Sequence, residues 1–288
     1  MEDEFILQYV SDIHLELRKA KNIPTIKPIR SNKCCLALCG DIGNPFMDTY
    51  KMFLDIHTKL YNHILIISGN HEYYSSKTKQ YTMKDADNKI NEIVKQYNNV
   101  TYLNMNKVII GRTKFIGCTF WSDISKILSI AENIMNDYKH IYIDSKGIPS
   151  RTITDLTGIY SNKKRLKADR IQLRGKNVLE LHKIMKEWIL SEVGNFDPND
   201  PDIKYDQIIV LTHHPPSFKM LDINDLYSPC YGSNCDDMIK PPIKCWISGH
   251  THSSKNVNIN GTMCLSNCMG YPGQKVARYS NDKYITFS

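Results

Sequence analysis

No stretch of this 288-residue chain stays apolar over the roughly 20 residues that a membrane-spanning helix needs, so that class is excluded at the outset. There is no CxxC pair either, and the nine cysteines therefore lack zinc-finger spacing. Several lie in apolar runs such as "CCLALCG", where a reduced thiol acts as a small core residue, and free thiols in a reducing compartment are expected. Cys230/Cys235 and Cys264/Cys268 are the weaker alternative, a metal clip. The opening "MEDEF" lacks the basic and apolar segments of a secretory leader, so the chain is read as soluble and cytoplasmic. Internal repeats and low-complexity tracts are missing as well. With 41% hydrophobic and 23% charged residues, the composition is that of a folded protein rather than a disordered one.

The formal charge of +7 raises the question of nucleic acid. Much of the excess sits in "SNKKRLKADRIQLRGK", residues 161 to 176, without interleaved aromatics. A solvated surface accounts for such a run better than a phosphate-binding face does. Lys, Asn, Ile and Tyr are abundant together, as an AT-biased genome produces, which weakens charge as a functional signal. Nucleic acid stays open as a partner without positive support.

The first third of the chain follows βαβ logic. "FILQYV" (5 to 10), "CCLALC" (34 to 39) and "HILIIS" (63 to 68) read as buried strands, with a helix in "MDTYKMFLDIHTKL" between the last two. A second helix is expected over 83 to 97, then a strand or hairpin set through "VTYLNMNKVIIGRTKFIGCTF". Residues 122 to 192 read as mostly helical, with Leu179, His182, Ile184, Trp188 and Leu190 on one broad face. Strands resume at "QIIVLT" and "KCWIS", followed by a hairpin in "KNVNINGTMCLSN" with "NG" at its tip.

Polar clusters stand at the carboxyl ends of these strands. "YVSDIH" carries Asp12 and His14, "CGDIGNP" Asp41, "SGNHEYY" Asn70 and His71, "LTHHPPS" His213 and His214, and "SGHTH" His250 and His252. Open α/β sheets bind ligands at that edge. Six of the ten histidines fall in these windows, too many for scattered core imidazoles. Carboxylates, imidazoles and an amide oxygen, with no thiolate, suit manganese, iron, zinc or nickel rather than a structural zinc. About seven ligands exceed one tetrahedral site and fit two ions roughly 3.5 to 4 Å apart. Glycines before Asp41, Asn70 and His250 are expected to permit sharp turns and close backbone approach. Each cluster alone has an ordinary explanation as a turn, cap or loop. The ordered set does not.

Taken together, "DIH", "GD", "GNHE", "THH" and "GHTH" resemble the five-part signature of the calcineurin-like metallophosphoesterases, from residue 12 to 252. "GNHEYY", "GCTFWSD", "MNDYKHI", "HHPPS" and "NCMGYPGQ" further resemble a branch of small, mostly uncharacterised bacterial and viral members. The resemblance implies an α/β fold, a four-layer αββα sandwich of two mixed β-sheets flanked by helices. It implies one domain over 1–288, with a mainly helical insertion or cap at about 122–206. By residue-by-residue transfer, Asp12, His14 and His252 hold one metal and Asn70, His213 and His250 the other, with Asp41 bridging. His213 rather than His214 rests on the family's usual position. His71 is the expected catalytic acid and not a ligand.

The implied reaction is hydrolysis of a phosphomonoester or phosphodiester by in-line attack of a hydroxide shared between the ions. Manganese is the metal to supply in vitro, and a small phosphorylated compound is the expected substrate. The Ser/Thr protein phosphatases are disfavoured. Their pattern "GDxxDRG" places an Asp to orient the catalytic His and an Arg to grip phosphate, whereas this chain has Asn44 and Pro45 there. A nuclease acting on DNA or RNA and a catalytically silent metal-binding scaffold are the alternatives; the filled ligand positions argue against the scaffold.

Overall fold

The apolar runs form strands buried on both faces, which is why they read as continuous rather than alternating. A computed structural model describes residues 4–29, 33–76, 78–146, 170–197 and 204–287. Strand β1 (Phe5–Val10), β2 (Cys34–Cys39), β3 (His63–Ile67) and β4 (Val100–Tyr102) lie parallel in one sheet. The last strand of the chain, β13 (Tyr284–Phe287), adds antiparallel to β1. The second sheet runs β11-β12-β10-β9-β6-β5. Its parallel centre is β6 (Thr113–Cys118), β9 (Gln207–Thr212), β10 (Ile243–Ser248) and β12 (Thr262–Ser266). Antiparallel β5 (Asn106–Ile110) and β11 (Asn256–Ile259) close its edges. Both sheets are therefore mixed.

Period-two alternation sorts each strand between two cores. Leu7, Tyr9, Cys35, Ala37, Leu65 and Ile67 meet Phe115, Ile209, Leu211 and Ile247 between the sheets. The intervening residues Ile6, Leu36, Leu38, Ile64 and Ile66 face the helices α1 (Asp48–His57) and α2 (Met83–Val94). α2 opens on a capping box in which Thr82 and Asp85 bond each other's backbone amides. On the far side, Ile116, Val210 and Trp246 of the second sheet pack against Met185, Trp188 and Ile189 of helix α5 (Gly175–Gly194). The result is the expected four-layer αββα arrangement, and all nine cysteines are free and buried within it.

Three details differ from the sequence reading. β4 and β5 belong to different sheets, because the chain crosses between layers after Tyr102 rather than folding back as a hairpin. Between α3 (Leu128–Ile134), α4 (Asp137–His140) and α5, a short antiparallel pair of β7 (Tyr142–Asp144) and β8 (Arg170–Gln172) interrupts the helices. Three residues per strand are too few for a periodicity to show. Along α5 the buried side is His182, Met185, Trp188, Ile189 and Glu192, while Leu190 faces outward. Most of the basic run, residues 161 to 169, lies outside the described residues.

Candidate metal centre

The clusters stand at the carboxyl ends of β1, β2, β3, β9 and β10, and after β1, β2 and β10 the chain turns through strained backbone. Ten non-glycine residues have positive φ among those described, and five of them are Asp12, His14, Asp41, His250 and His252. Such conformations cost about 1–3 kcal/mol each and persist only where the surrounding fold imposes them. His250 and His252 adopt φ of 70° and 49°, so the segment joining them is turned rather than extended. The two imidazoles reach the same centre by paired left-handed turns, a route that one residue of spacing does not disclose.

One buried carboxylate holds two of these turns together. Glu72 accepts the backbone N–H groups of Gly69 at 2.7 Å, Asp41 at 3.0 Å, Ile42 at 2.7 Å and Gly43 at 3.3 Å, locking the β2 and β3 turns against each other. Gly40 makes the first turn with φ of 83°, but Gly69 serves a different purpose. A Cβ there would lie 2.6 Å from the Asp41 nitrogen and 2.7 Å from His213 Cε1.

All seven expected ligands and His71 converge. Three groups of side chains could each hold an ion: Asp12, His14 and His252; His14, Asp41 and His71; and Asp41, His213 and His250. Asn70 adds its Oδ1, 3.1 Å from His213 Nε2. Asp41 stands between the outer groups, with Oδ2 3.8 Å from His14 Nε2 and Oδ1 3.3 Å from His213 Nε2. His214 goes elsewhere, its Nδ1 3.3 Å from the Thr119 carbonyl and its ring against Trp121.

Hydrogen bonding on the outer side of each ring fixes what the inner side offers. His14 Nδ1 lies 3.0 Å from Glu16 Oε1, and His252 Nδ1 lies 2.7 Å from Gln274 Oε1. With both Nδ1–H groups donating outward, both Nε2 atoms carry lone pairs, yet they face each other at 3.0 Å. His213 donates Nδ1–H to the Cys39 carbonyl at 2.9 Å, which leaves Nε2 as the atom offered inward, facing the oxygens of Asp41 and Asn70. Asp137 fixes the Asn70 amide by accepting from Nδ2 at 2.9 Å, so that Oδ1 turns inward. The Nε2 of His250 is buried without a hydrogen-bond partner. Two atoms each about 2.1 Å from one cation stand about 3.0 to 3.4 Å apart, and the pairs His14–His252, His213–Asn70 and His213–Asp41 have that separation. Divalent ions fit this donor set.

The electrostatics agree. Burial opposes charge on His213, but Asp41 beside it pushes the ring up to about 10. Burial would raise the Asp41 carboxyl, and His213 and His71 hold it well below the usual carboxylate range instead. His71, also opposed by burial, is pushed up to about 9 by Asp41 and Glu16. Burial and the adjacent His214 and His213 rings keep His250 neutral, the form that binds metal. The group Asp41, His213 and His250 thus combines a strong attraction for positive charge with a neutral, unpartnered imidazole.

Next to the centre, a groove of about 460 Å³ is walled by Ile134, Leu221, Ile223, Tyr227 and Tyr231 and reaches Thr251, between the two GHTH histidines. Among the described residues no lysine or arginine lines it. Tyr271 covers His14 and His252, with ring centroids 4.4 Å from each. Glu16, Glu72, Asp137 and Gln274 were given no role in the sequence reading, although each stands in or beside a quoted motif.

A sequence profile of calcineurin-like phosphoesterases matches residues 9–254, and the chain belongs to that family. Over 289 aligned residues it is 29% identical to the uncharacterized protein L509 of Acanthamoeba polyphaga mimivirus, covering 94% of this chain and 92% of that one. The fold is similar to that of the phosphopantetheinyl hydrolase PptH from Mycobacterium tuberculosis. There the TM-score is 0.63 at 14% identity, over 94% of this chain and 92% of the other. Among the described residues no helix is long and apolar enough to cross a membrane.

Proposed function

We propose that this protein is a dinuclear-metal-dependent phosphoesterase acting on a small phosphorylated substrate. The observation that carries the reading is the pair of inward lone pairs on His14 and His252, 3.0 Å apart, which a shared cation reconciles. On this reading Asp12, His14 and His252 hold one ion, Asn70, His213 and His250 the second, and Asp41 both. Two such ions supply an acidified water and neutralise phosphoryl oxygens when bound. The chain's own residues do the rest. Outward hydrogen bonds donated to Glu16, Gln274, the Cys39 carbonyl and Asp137 fix the ligand rings and amide before substrate arrives, avoiding reorganisation during the reaction. His71, held by Glu16, delivers a proton to the departing ester oxygen.

The groove favours a substrate whose remainder is uncharged and partly apolar. Among the described residues the walls carry Asp222 and Asp225, and the neighbouring Lys255 is already paired with Asp222, which supports a small ester over a nucleic acid. We take the whole chain as one domain in which the segment 122–206 acts as the cap, contributing Ile134 to the groove and Asp137 to Asn70.

With added manganese, the protein should hydrolyse p-nitrophenyl phosphate or its bis-ester, and the ratio of the two rates separates monoesterase from diesterase. Asp41→Asn and His252→Ala should abolish this without unfolding the chain. Turnover that survives exhaustive chelation would refute the proposal.

A further inference from the structure

His71 needs an orienting partner if it is to present one tautomer to a leaving group, and the position expected for one is Asn44. That side chain is committed elsewhere: its Nδ2 donates to Tyr81 Oη at 2.8 Å and to the Tyr74 carbonyl at 3.3 Å, and its Oδ1 accepts from Phe46 N at 2.9 Å. The carboxylate facing His71 comes instead from the first motif. Glu16 lies two residues after His14, in the 3-10 turn Leu15–Leu17 that the left-handed His14 opens, and its Oε1 stands 2.9 Å from His71 Nδ1. The same oxygen stands 3.0 Å from His14 Nδ1. Its Oε2 is buried without a hydrogen-bond partner, so both imidazoles share a single acceptor atom. The two rings meet edge to face at a centroid distance of 4.5 Å, and Tyr74 stacks on the other face of His71 at 4.3 Å.

We propose that Glu16 is the positioning residue for His71: by accepting its Nδ1–H, it directs Nε2 toward the departing oxygen and ties its orientation to the ligand His14. The proposal rests on the phosphoesterase reading for its kinetic consequence, but not for its geometry. A carboxylate that only neutralised His14 would need no contact with His71. One that served only His71 would leave His14 without its outward acceptor. The shared oxygen makes the pair a unit, so that the proton donor is set where the metal site is set.

Three measurements on the full-length, metal-loaded protein test this. At saturating metal, Glu16→Ala should retain the wild-type metal stoichiometry and lower kcat about 10- to 100-fold for phenyl or alkyl phosphates, whose leaving groups need a proton, with little loss for 2,4-dinitrophenyl phosphate. In a His71→Ala background at saturating metal, Glu16→Ala should cause no further loss. In 15N-histidine spectra of the zinc-loaded protein, the wild type should show a hydrogen-bonded Nδ1–H for His71 that Glu16→Ala loses and Glu16→Gln, which keeps an acceptor oxygen, retains. Multiplicative losses in the double variant would overturn the proposal, as would a uniform loss across leaving groups or a defect cured by excess metal. A wild type without phosphoesterase activity would sink the parent reading alone, and the spectra would then decide whether Glu16 holds His71.

Discussion

Gly69→Ala adds one methyl group, and the structure says where it must go. The new Cβ would lie 2.6 Å from the Asp41 backbone nitrogen and 2.7 Å from His213 Cε1, with Asp41 Oδ1 nearer still. Carbon atoms in contact settle at about 3.5–4.0 Å, so the overlap approaches 1 Å. None of the three neighbours is the free end of a flexible chain. Asp41 N is tied to Glu72, Asp41 Oδ1 accepts the His71 amide at 2.8 Å, and His213 is pinned through Cys39. Overpacking of a rigid site costs about 1–3 kcal/mol, and these restraints place Gly69→Ala at the upper end, about 3 kcal/mol. Relief can come only by moving Asp41 and His213 apart, so the penalty falls on metal binding. About 3 kcal/mol corresponds to roughly a 100-fold weaker affinity for the ion they share. Competitive titration with a chromophoric chelator reads that loss, and calorimetry reads the melting temperature of the metal-free chain. Gly194→Ala is the control. At the end of α5 its Cβ meets nothing within 4 Å, so the same substitution should stabilise the chain by about 0.5–1 kcal/mol without touching metal affinity. Wild-type metal affinity and turnover in Gly69→Ala would refute the claim that Asp41 and His213 are fixed against this backbone.

Two further outcomes follow from the same geometry. Asp137→Ala frees the Asn70 amide to rotate and should weaken one metal site about 10- to 100-fold while leaving the other unchanged, so a titration with two undisturbed affinities would deny Asp137 its role. Away from the centre, burial holds His57 down at about 4, its Nε2 accepting from Ile26 N at 2.9 Å and its Nδ1 donating to the Phe53 carbonyl. The unfolded chain takes up this proton near 6.5 and the folded chain near 4, so the contribution of His57 is full above pH 6.5 and is lost as pH falls toward 4. The loss amounts to about 3 kcal/mol. Urea melts at pH 7 and pH 4.5 should show His57→Gln less stable than wild type at the higher pH and less acid-sensitive, and parallel pH profiles would contradict the assignment.

What the sequence disclosed about the fold, it disclosed through burial. Leu36 and Ala37 point to different cores, yet both are apolar, so β2 was visible as a strand without revealing which face met which layer. The crossing from β4 to β5 was hidden for the same reason, since both sides of it look like short strands joined by a turn. The ligand side chains were legible because each occupies a fixed offset from the end of its strand. Asp12 and His14 bracket one residue, and so do His250 and His252, whatever the rest of the chain does. Offset does not give conformation, however, and the left-handed turns at all four residues became visible only in the structure.

The residues that went unassigned are those whose partners are far away in the chain. Glu16 meets His71 across 55 positions, Asp137 meets Asn70 across 67, and Gln274 meets His252 across 22. Only the fold decides which of many acidic or amide side chains arrives at a given ring. Local sequence can show a side chain able to accept a hydrogen bond, but not the bond. Glu16 is partly an exception, because its contact with His14 is local and the turn Leu15–Leu17 follows directly from the His14 backbone. The second contact converts a local neighbour into a link between motifs, since the oxygen that steadies His14 also faces His71. A change at Glu16 therefore tests more than a hydrogen bond: it tests whether the metal centre and the acid are set by one group or by two.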